Sequence, residues 1–493
     1  MGCHDPSRRA VLTALAAMAA LPIGGIGSVA SQSVSMVARD LELVTVTDES
    51  IAVRWTTAAI DPLGRPRPIE SDTELALAPA DSRRPAPVVH YDANPTAYHY
   101  AEVTGLEPGR EYYVEARSRG VRATPGSMWH WWHDEPRLRF RTLVPPPGRL
   151  LRTLALTNDL HFGEEVSGEI VAALPTGVRQ EPNLPPYPAV MLDALLTDVR
   201  EPDRMVDHVI LAGDLTSDGT PSQSRNLRHW LDDWGTLGRD VLLCRGNHDR
   251  PRVGPRWRSG PRLAGTEHHD CWGQYFLPRQ RLVGYDLGGL RVIGLDTTDL
   301  DGAGGRIDAE QMARLRSLLN DEPDRPTLVF GHHPVTRDSG MSNLGGPGFV
   351  LDRHDAAALH RLYERAPGVF LHHSGHTHRN RRTPPDIPIP VEFLEVASIK
   401  EYPGGYTLLR LYEGGYMITF QATRSAAARQ WSTRTRSQLF GLQPRYSLGS
   451  VADRSHVVHR DLSGVERVPH ALAPPAAATA TAVAARRADH GGR

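Results

Sequence analysis

Two periodicities divide this chain. Between Ala38 and about Leu143 apolar and polar positions alternate, as in Leu41, Leu43 and then Ile51, Val53, Trp55 and Tyr112, Val114, Ala116. Alternation with period two predicts half-buried strands and an all-β region. From Leu150 onward the apolar positions form continuous short runs: Thr153–Gly163, His208–Gly219, Val241–Asp249, Thr327–Pro334 and Val369–Arg379. Such runs predict strands covered on both faces, hence sheets flanked by helices. Each run is broken toward its end by Gly, Asp, Asn or His, which is how a buried strand delivers polar groups to the rim of a sheet.

Helical spacing is expected at Asp193–Val199, Leu227–Leu237 and Glu310–Leu319. The third is the clearest, with Asp308 as cap, Gln311 at the capping-box position, and Met312, Leu315 and Leu319 on one face. Val391–Ser398 and Tyr406–Leu411 read as closing strands. The pattern weakens after about Ser425. Val144-Pro145-Pro146-Pro147-Gly148 is a stiff boundary, because Pro lacks the donor that a strand needs. The expected organisation is a leader at 1–30, a β region at 38–143, an α/β domain at 150–424, an extension at 425–466, and a disordered Ala-rich tail at 467–493. Two Pro- or Arg-rich insertions, Glu164 to about Pro188 and Asp249 to about Arg281, follow directly on polar strand ends and read as lids, specificity loops or padding. Trp129, Trp131 and Trp132 beside His130 and His133 are expected either to pack against the neighbouring domain or to form a sugar-stacking face.

Composition changes this picture little. Lys plus Arg number 56 against 57 Asp plus Glu, so no global charge points to nucleic acid or an anionic membrane. Ser7-Arg8-Arg9 before the apolar run Ala10–Ala20, with Ser28-Val29-Ala30 after it, resembles a twin-arginine export signal; an ordinary secretory signal or an anchor is the alternative. No later run approaches the roughly 18 apolar residues of a membrane span, so none is expected in the mature chain. The expected location is outside the cytoplasm: extracellular, periplasmic or cell-wall associated. Cys244 sits in an apolar run and reads as a core thiol, with a bridge to Cys271 as the other possibility.

The chemistry lies at the strand ends. Asp159 and His161 stand one residue apart and would point the same way in an extended chain. Asp214 follows Gly213, Asn247 follows Gly246 and precedes His248 and Asp249, and His332, His376 and His378 complete the set. Seven N and O donors without a thiolate suit two divalent ions, Mn, Fe or Zn. Each piece is weak alone, and their joint occurrence in order makes coincidence improbable. His333, His372 and His373 are expected behind the ligands.

The set Asp159-x-His161, Gly213-Asp214, Gly246-Asn247-His248-Asp249, His332-x-Pro334 and Gly375-His376-x-His378 resembles the calcineurin-like metallophosphoesterase superfamily over about Leu150 to Leu411. The resemblance implies a sandwich of two mixed sheets with helices outside, an α/β fold. It also implies one ion on Asp159, His161, Asp214 and His378, and another on Asp214, Asn247, His332 and His376. It further implies hydrolysis of phosphate mono- or diesters by hydroxide supplied between the ions, with His248 beside the leaving group and Asp249 orienting that ring. Leu106 to Tyr112 resembles the tyrosine corner of a fibronectin type III sandwich. A β-sandwich ahead of this domain is also similar to purple acid phosphatases, but the residue three after Asp214 is Ser217 where those enzymes carry the iron-binding Tyr. The expected partners are a small phosphoester or envelope-derived substrate and, through the leader, the export machinery. A phosphoesterase fold retained only as a binding module of the envelope is the competing expectation.

Overall fold

The computed structural model describes residues 35–126, 138–168, 177–250, 270–279, 281–299, 302–438 and 443–467. The leader, the Trp129–His133 cluster, most of the Arg-rich insertion and the Ala-rich tail lie outside the described residues. Two six-stranded sheets form the centre. The first runs, edge to edge, Val241–Cys244, His208–Ala212, Leu150–Thr157, Gly405–Tyr412, Gly415–Ala422 and Ser455–His459. Its first three strands are parallel and the rest antiparallel. The second runs Val283–Leu287, Leu290–Leu295, Thr327–Gly331, Val369–Ser374, Glu392–Glu395 and Arg381–Thr383, with the four inner strands parallel.

Continuous apolar runs are explained by burial on both faces. Leu154, Leu156, Ile210, Ala212, Leu242 and Cys244 pack with Leu290, Val292, Leu328 and Phe330 in a core shared by both sheets. Their neighbours Ala155, Val209, Leu211, Val241 and Leu243 face helices on the first sheet's outer side, while Ile293, Leu295 and Val329 face helices on the second's. Most strand positions therefore take apolar residues. Cys244 is a free, buried thiol within the shared core.

The helices differ from expectation in their limits. The first spans Tyr187–Asp198, starting six residues before Asp193, because Pro188 in its first turn lacks a donor that this turn does not use. The second spans Pro221–Trp234, capped by Thr220. The third, Ala309–Asp321, has the Asp308 cap, whose carboxylate accepts from Gln311 N at 2.7 Å. The Gln311 side chain does not close a capping box; it pairs with both backbone groups of Asp296 at 2.9 and 2.8 Å and ties the helix to a sheet rim. The helix Arg353–Glu364 and the strands Val283–Leu287 and Leu290–Leu295 have no counterpart among the expected elements. Beyond Ser425 the chain adds a helix at Ala426–Thr435 and the last strand of the first sheet at Ser455–His459, so the extension completes the fold. Among the described residues no helix is long and apolar enough to cross a membrane.

Residues 36–126 and 138–141 form two antiparallel sheets with a common core that includes Leu43, Val53, Trp55, Leu75, Tyr112 and Val114. Tyr112 Oη accepts from Glu107 N at 3.1 Å, which pins the turn before its strand. The first strand, Met36–Val46, also joins this region to the α/β domain. Val44 packs with Ala397, Phe420 and Ala422. Thr45 Oγ1 donates to Phe420 O at 2.7 Å, and Arg54 Nη1 to Pro403 O at 2.9 Å. Glu42 sits at the centre of this junction. It accepts from Arg54 Nε at 2.7 Å, Arg436 Nη2 at 2.6 Å and Tyr402 Oη at 2.8 Å. Burial works to raise its pKa, but the two guanidinium groups prevail and lower it to about 2.

Glu42→Ala leaves Arg54 buried without its anion and Arg436 with Asp40 alone, and is expected to cost about 3 kcal/mol in urea unfolding. Because the folded pKa is depressed, the contribution of Glu42 is complete above its unfolded value and is lost as pH falls from there toward about 2. The difference between wild type and variant should therefore shrink in acid; a constant difference from pH 7 to 3 would contradict this role.

Candidate metal centre

The seven donors expected to hold metal converge where the carboxyl ends of the two sheets meet. Asp159 and His161 follow the strand Leu150–Thr157, Asp214 follows His208–Ala212, and Asn247 follows Val241–Cys244. His332 follows Thr327–Gly331, and His376 and His378 follow Val369–Ser374. One sheet supplies the carboxylates, the amide and one imidazole. The other supplies three imidazoles.

How the chain aims them differs from the simple extended reading. Eight described non-glycine residues have positive φ, and five of these are Asp159, His161, Asp214, His376 and His378. Both one-residue spacings are therefore left-handed turns and not strand alternation. Such a conformation costs about 1–2 kcal/mol for a residue with a Cβ. Backbone bonds between the turns hold it: Asp159 N donates to Gly213 O and His161 N to Asp214 O, each at 3.0 Å. Gly213 has φ +86°, and a Cβ there would stand 2.7 Å from the His332 ring; at Gly246 it would meet Asp214 N at 2.2 Å. Only glycine lets these turns close.

Each central carboxylate is divided between support and site. Asp159 Oδ2 accepts from Asn158 Nδ2 at 2.5 Å and His376 N at 3.0 Å, leaving Oδ1 directed at His378 Nε2 (3.3 Å) and His161 Nε2 (3.8 Å). Asp214 Oδ1 accepts from His248 N at 2.7 Å, while Oδ2 lies 3.1 Å from His332 Nε2 and 3.6 Å from His161 Nε2. His332 Nε2 is also 3.0 Å from Asn247 Oδ1 and 3.1 Å from His376 Nδ1. Donor atoms of Asp159, His161 and His378 lie within 4.8 Å of one another, as do those of Asp159, Asp214 and His332. Asp159 Oδ1 and both His161 ring nitrogens are buried without a hydrogen bond of ordinary geometry. Unpaired inward donors of this kind fit divalent ions.

The charges agree. Burial opposes ionisation of Asp159 and Asp214, yet His378 beside the first and His332 beside the second hold both carboxyls well below the usual range. Burial also works against protonating those two imidazoles, but Asp214 draws His332 up to about 9 and Asp159 draws His378 up to about 10. His161 and His376 are pushed down to about 4 and about 3, first by burial and then by neighbouring cations. The pocket is built to hold positive charge.

His248 and Asp249 take different places. A ring nitrogen of His248 lies within 4.8 Å of donors on His161 and Asp214, and its ring is 4.5 Å from that of His161. Its orientation comes from Ser217, whose carbonyl accepts from Nδ1 at 2.7 Å. Asp249, expected behind this ring, is instead fully buried beneath the Asp214 turn. It accepts from Leu215 N, Thr216 N, Thr216 Oγ1 and Gly246 N. It positions Asp214. His333 is occupied on both nitrogens, by Thr297 Oγ1 at 2.7 Å and Ala303 O at 3.1 Å, and His372 pairs with Tyr363 Oη at 2.8 Å.

Three supporting residues escaped the sequence reading. Glu401 Oε1 accepts from His378 Nδ1 at 2.8 Å. Glu164 Oε1 stands 3.8 Å from His161 Nδ1 and takes both its oxygens to Lys400 Nζ, at 2.8 and 2.6 Å. The signal was available: Lys400-Glu401 interrupts the apolar run Val396–Ile399, and adjacent opposite charges at the end of a buried run need a buried purpose.

The profile of the calcineurin-like phosphoesterase family matches residues 152–380. A probable cyclic nucleotide phosphodiesterase of Synechococcus is 29% identical over 181 residues, covering 36% of this chain and 59% of that protein. A probable glycerophosphodiester phosphodiesterase of Arcobacter nitrofigilis is 27% identical over 173 residues, covering 35% and 57%. A cAMP/cGMP dual specificity phosphodiesterase of Mycobacterium tuberculosis is 27% identical over 191 residues, covering 38% and 53%. The chain thus spans just over half the length of these curated relatives. A purple acid phosphatase from yellow lupin superposes with a TM-score of 0.41 at 14% identity, covering 87% of this chain and 75% of that one, which is too distant to add to the assignment. Residues 152–380, with two sheets bearing these ligand-carrying turns, have a calcineurin-like metallophosphoesterase fold capable of holding metal.

Proposed function

We propose that this chain is a dinuclear-metal phosphoesterase acting on phosphate diesters. The observation that carries it is the disposition of Asp214: one oxygen is fixed by His248 N, and the other lies between His161 and His332. A carboxylate so placed serves both ion positions. Asp159, His161 and His378 complete the first and Asn247, His332 and His376 the second. Held by these residues, two divalent ions would supply a nucleophilic water near neutral pH and neutralise charge on the phosphoryl group. The names of the relatives, all phosphodiesterases, support diester over monoester.

The chain's own residues do the rest. His332 Nδ1 donates to Ala212 O at 2.9 Å, so Nε2 is the nitrogen that faces the site. Glu401 does the same for His378. Ser217 holds Nδ1–H of His248, leaving the other ring nitrogen toward the site, where it donates a proton or hydrogen bond to the departing oxygen. Export through the leader at 1–30 and a fibronectin type III-like identity for residues 38–143, the latter supported by the Tyr112 bond to Glu107 N, belong to the same proposal.

His248→Ala is expected to lower kcat for bis-p-nitrophenyl phosphate by about 10²–10⁴ with two ions per chain retained; loss of metal would show that His248 is a ligand. Glu401→Ala removes the acceptor that orients His378 and is expected to weaken metal binding about 10- to 100-fold, read by calorimetric titration of the stripped protein. Unaltered affinity would remove Glu401 from the account.

A further inference from the structure

The segment between the strand Thr327–Gly331 and the helix Arg353–Glu364 carries His332 at its start and a short turn, Gly346–Phe349, near its end. The Phe349 ring stacks on His376, with centroids 5.1 Å apart and planes at 21°. His376 Nδ1 in turn lies 3.1 Å from His332 Nε2. Phe349 is therefore one ring removed from the second ion position, yet it is 37% exposed, and Met341 and Leu344 on the same segment are 70% and 49% exposed.

The segment is held firmly. Arg379 donates to Ser342 O at 2.7 Å and Ser342 Oγ at 3.1 Å, and Asn343 Nδ2 bridges Ser339 O at 2.7 Å and Gly346 O at 3.1 Å. Gly345 lies so close that a Cβ there would stand 2.2 Å from the Phe349 ring. An aromatic ring held in place, backed by a candidate ligand and still partly exposed, is a preformed stacking platform. His248 stands against His161 and Phe349 against His376, so the two rings flank ligands of different ion positions.

On the phosphodiesterase reading above, we infer that Phe349 determines specificity by receiving an aromatic or apolar ester group of the substrate. This is the group retained on phosphorus while the one beside His248 departs. Water forms the new P–O bond and the bond to the departing oxygen breaks. That oxygen takes the proton, and a phosphomonoester bearing the group on Phe349 remains.

The test compares phenyl p-nitrophenyl phosphate with methyl p-nitrophenyl phosphate, which share a leaving group and differ in the retained one. The metal-loaded wild type is expected to favour the phenyl ester in kcat/KM. Phe349→Ala should reduce that preference about three- to tenfold, chiefly through KM, and Phe349→Trp should keep it. Metal content, measured alongside, should stay at two ions in both variants. An unchanged preference, or loss of metal from Phe349→Ala, would overturn the inference, the latter making Phe349 a shield for His376. If the loaded wild type cleaves neither ester, the phosphodiesterase reading itself falls; if it cleaves both with no effect of Phe349 on the preference, that reading stands and only the role of Phe349 is lost.

Discussion

Two carboxylates, Asp159 and Asp214, are buried where the sheets meet, and anions in such a place require compensating charge. Much of the architecture supplies it. Asp159 and Asp214 each give one oxygen to a neighbouring amide and present the other to imidazoles carried by the opposite sheet. The left-handed turns that aim these groups are unfavourable alone and are held by bonds from one strand end to the next. The two sheets must therefore be in register for the centre to exist, and the apolar core between them, from Leu154 and Ile210 to Leu328 and Phe330, sets that register.

Around this centre the chain spends charged residues in its interior. Glu401 and the Lys400–Glu164 pair back the histidines of the first ion position, whereas those of the second are backed by neutral groups, Ala212 O for His332 and the Phe349 ring for His376. Lys400 and Glu401 belong to a loop that is also covered by the helix Ala426–Thr435, through Trp431 Nε1 to Lys400 O at 2.7 Å. The same loop meets the β region: Tyr402, the next residue, donates to Glu42. One short segment thus links the candidate metal centre, the helix Ala426–Thr435 and the N-terminal sheets.

The donor set and the strands that carry it are legible in sequence because buried parallel strands are mostly apolar and their polar residues gather toward the ends. Asp159, Asp214, Asn247 and His332 stand out against such runs. The conformation of the turns was not legible, since Asp-x-His reads equally as strand or left-handed turn until neighbouring backbone fixes it. Asp249 was misplaced for a related reason: adjacency to His248 suggested contact, but a tight turn after Gly246 sends the two side chains in different directions. The strand Ser455–His459 and the helix Arg353–Glu364 lack the clear runs of the central strands, and their burial depends on partners distant in sequence. Phe349 sits in a Gly-Pro-Gly turn that reads as loop, and only the fold brings it to His376.

On the proposed function Asp214 is shared by two ions. A crystal structure of manganese-loaded protein, with an anomalous difference map at the manganese edge, tests this directly. Two peaks roughly 3.5–4 Å apart are expected on either side of Asp214, one bounded by Asp159, His161 and His378 and the other by Asn247, His332 and His376. A single peak, or two peaks of which only one touches Asp214, would contradict it.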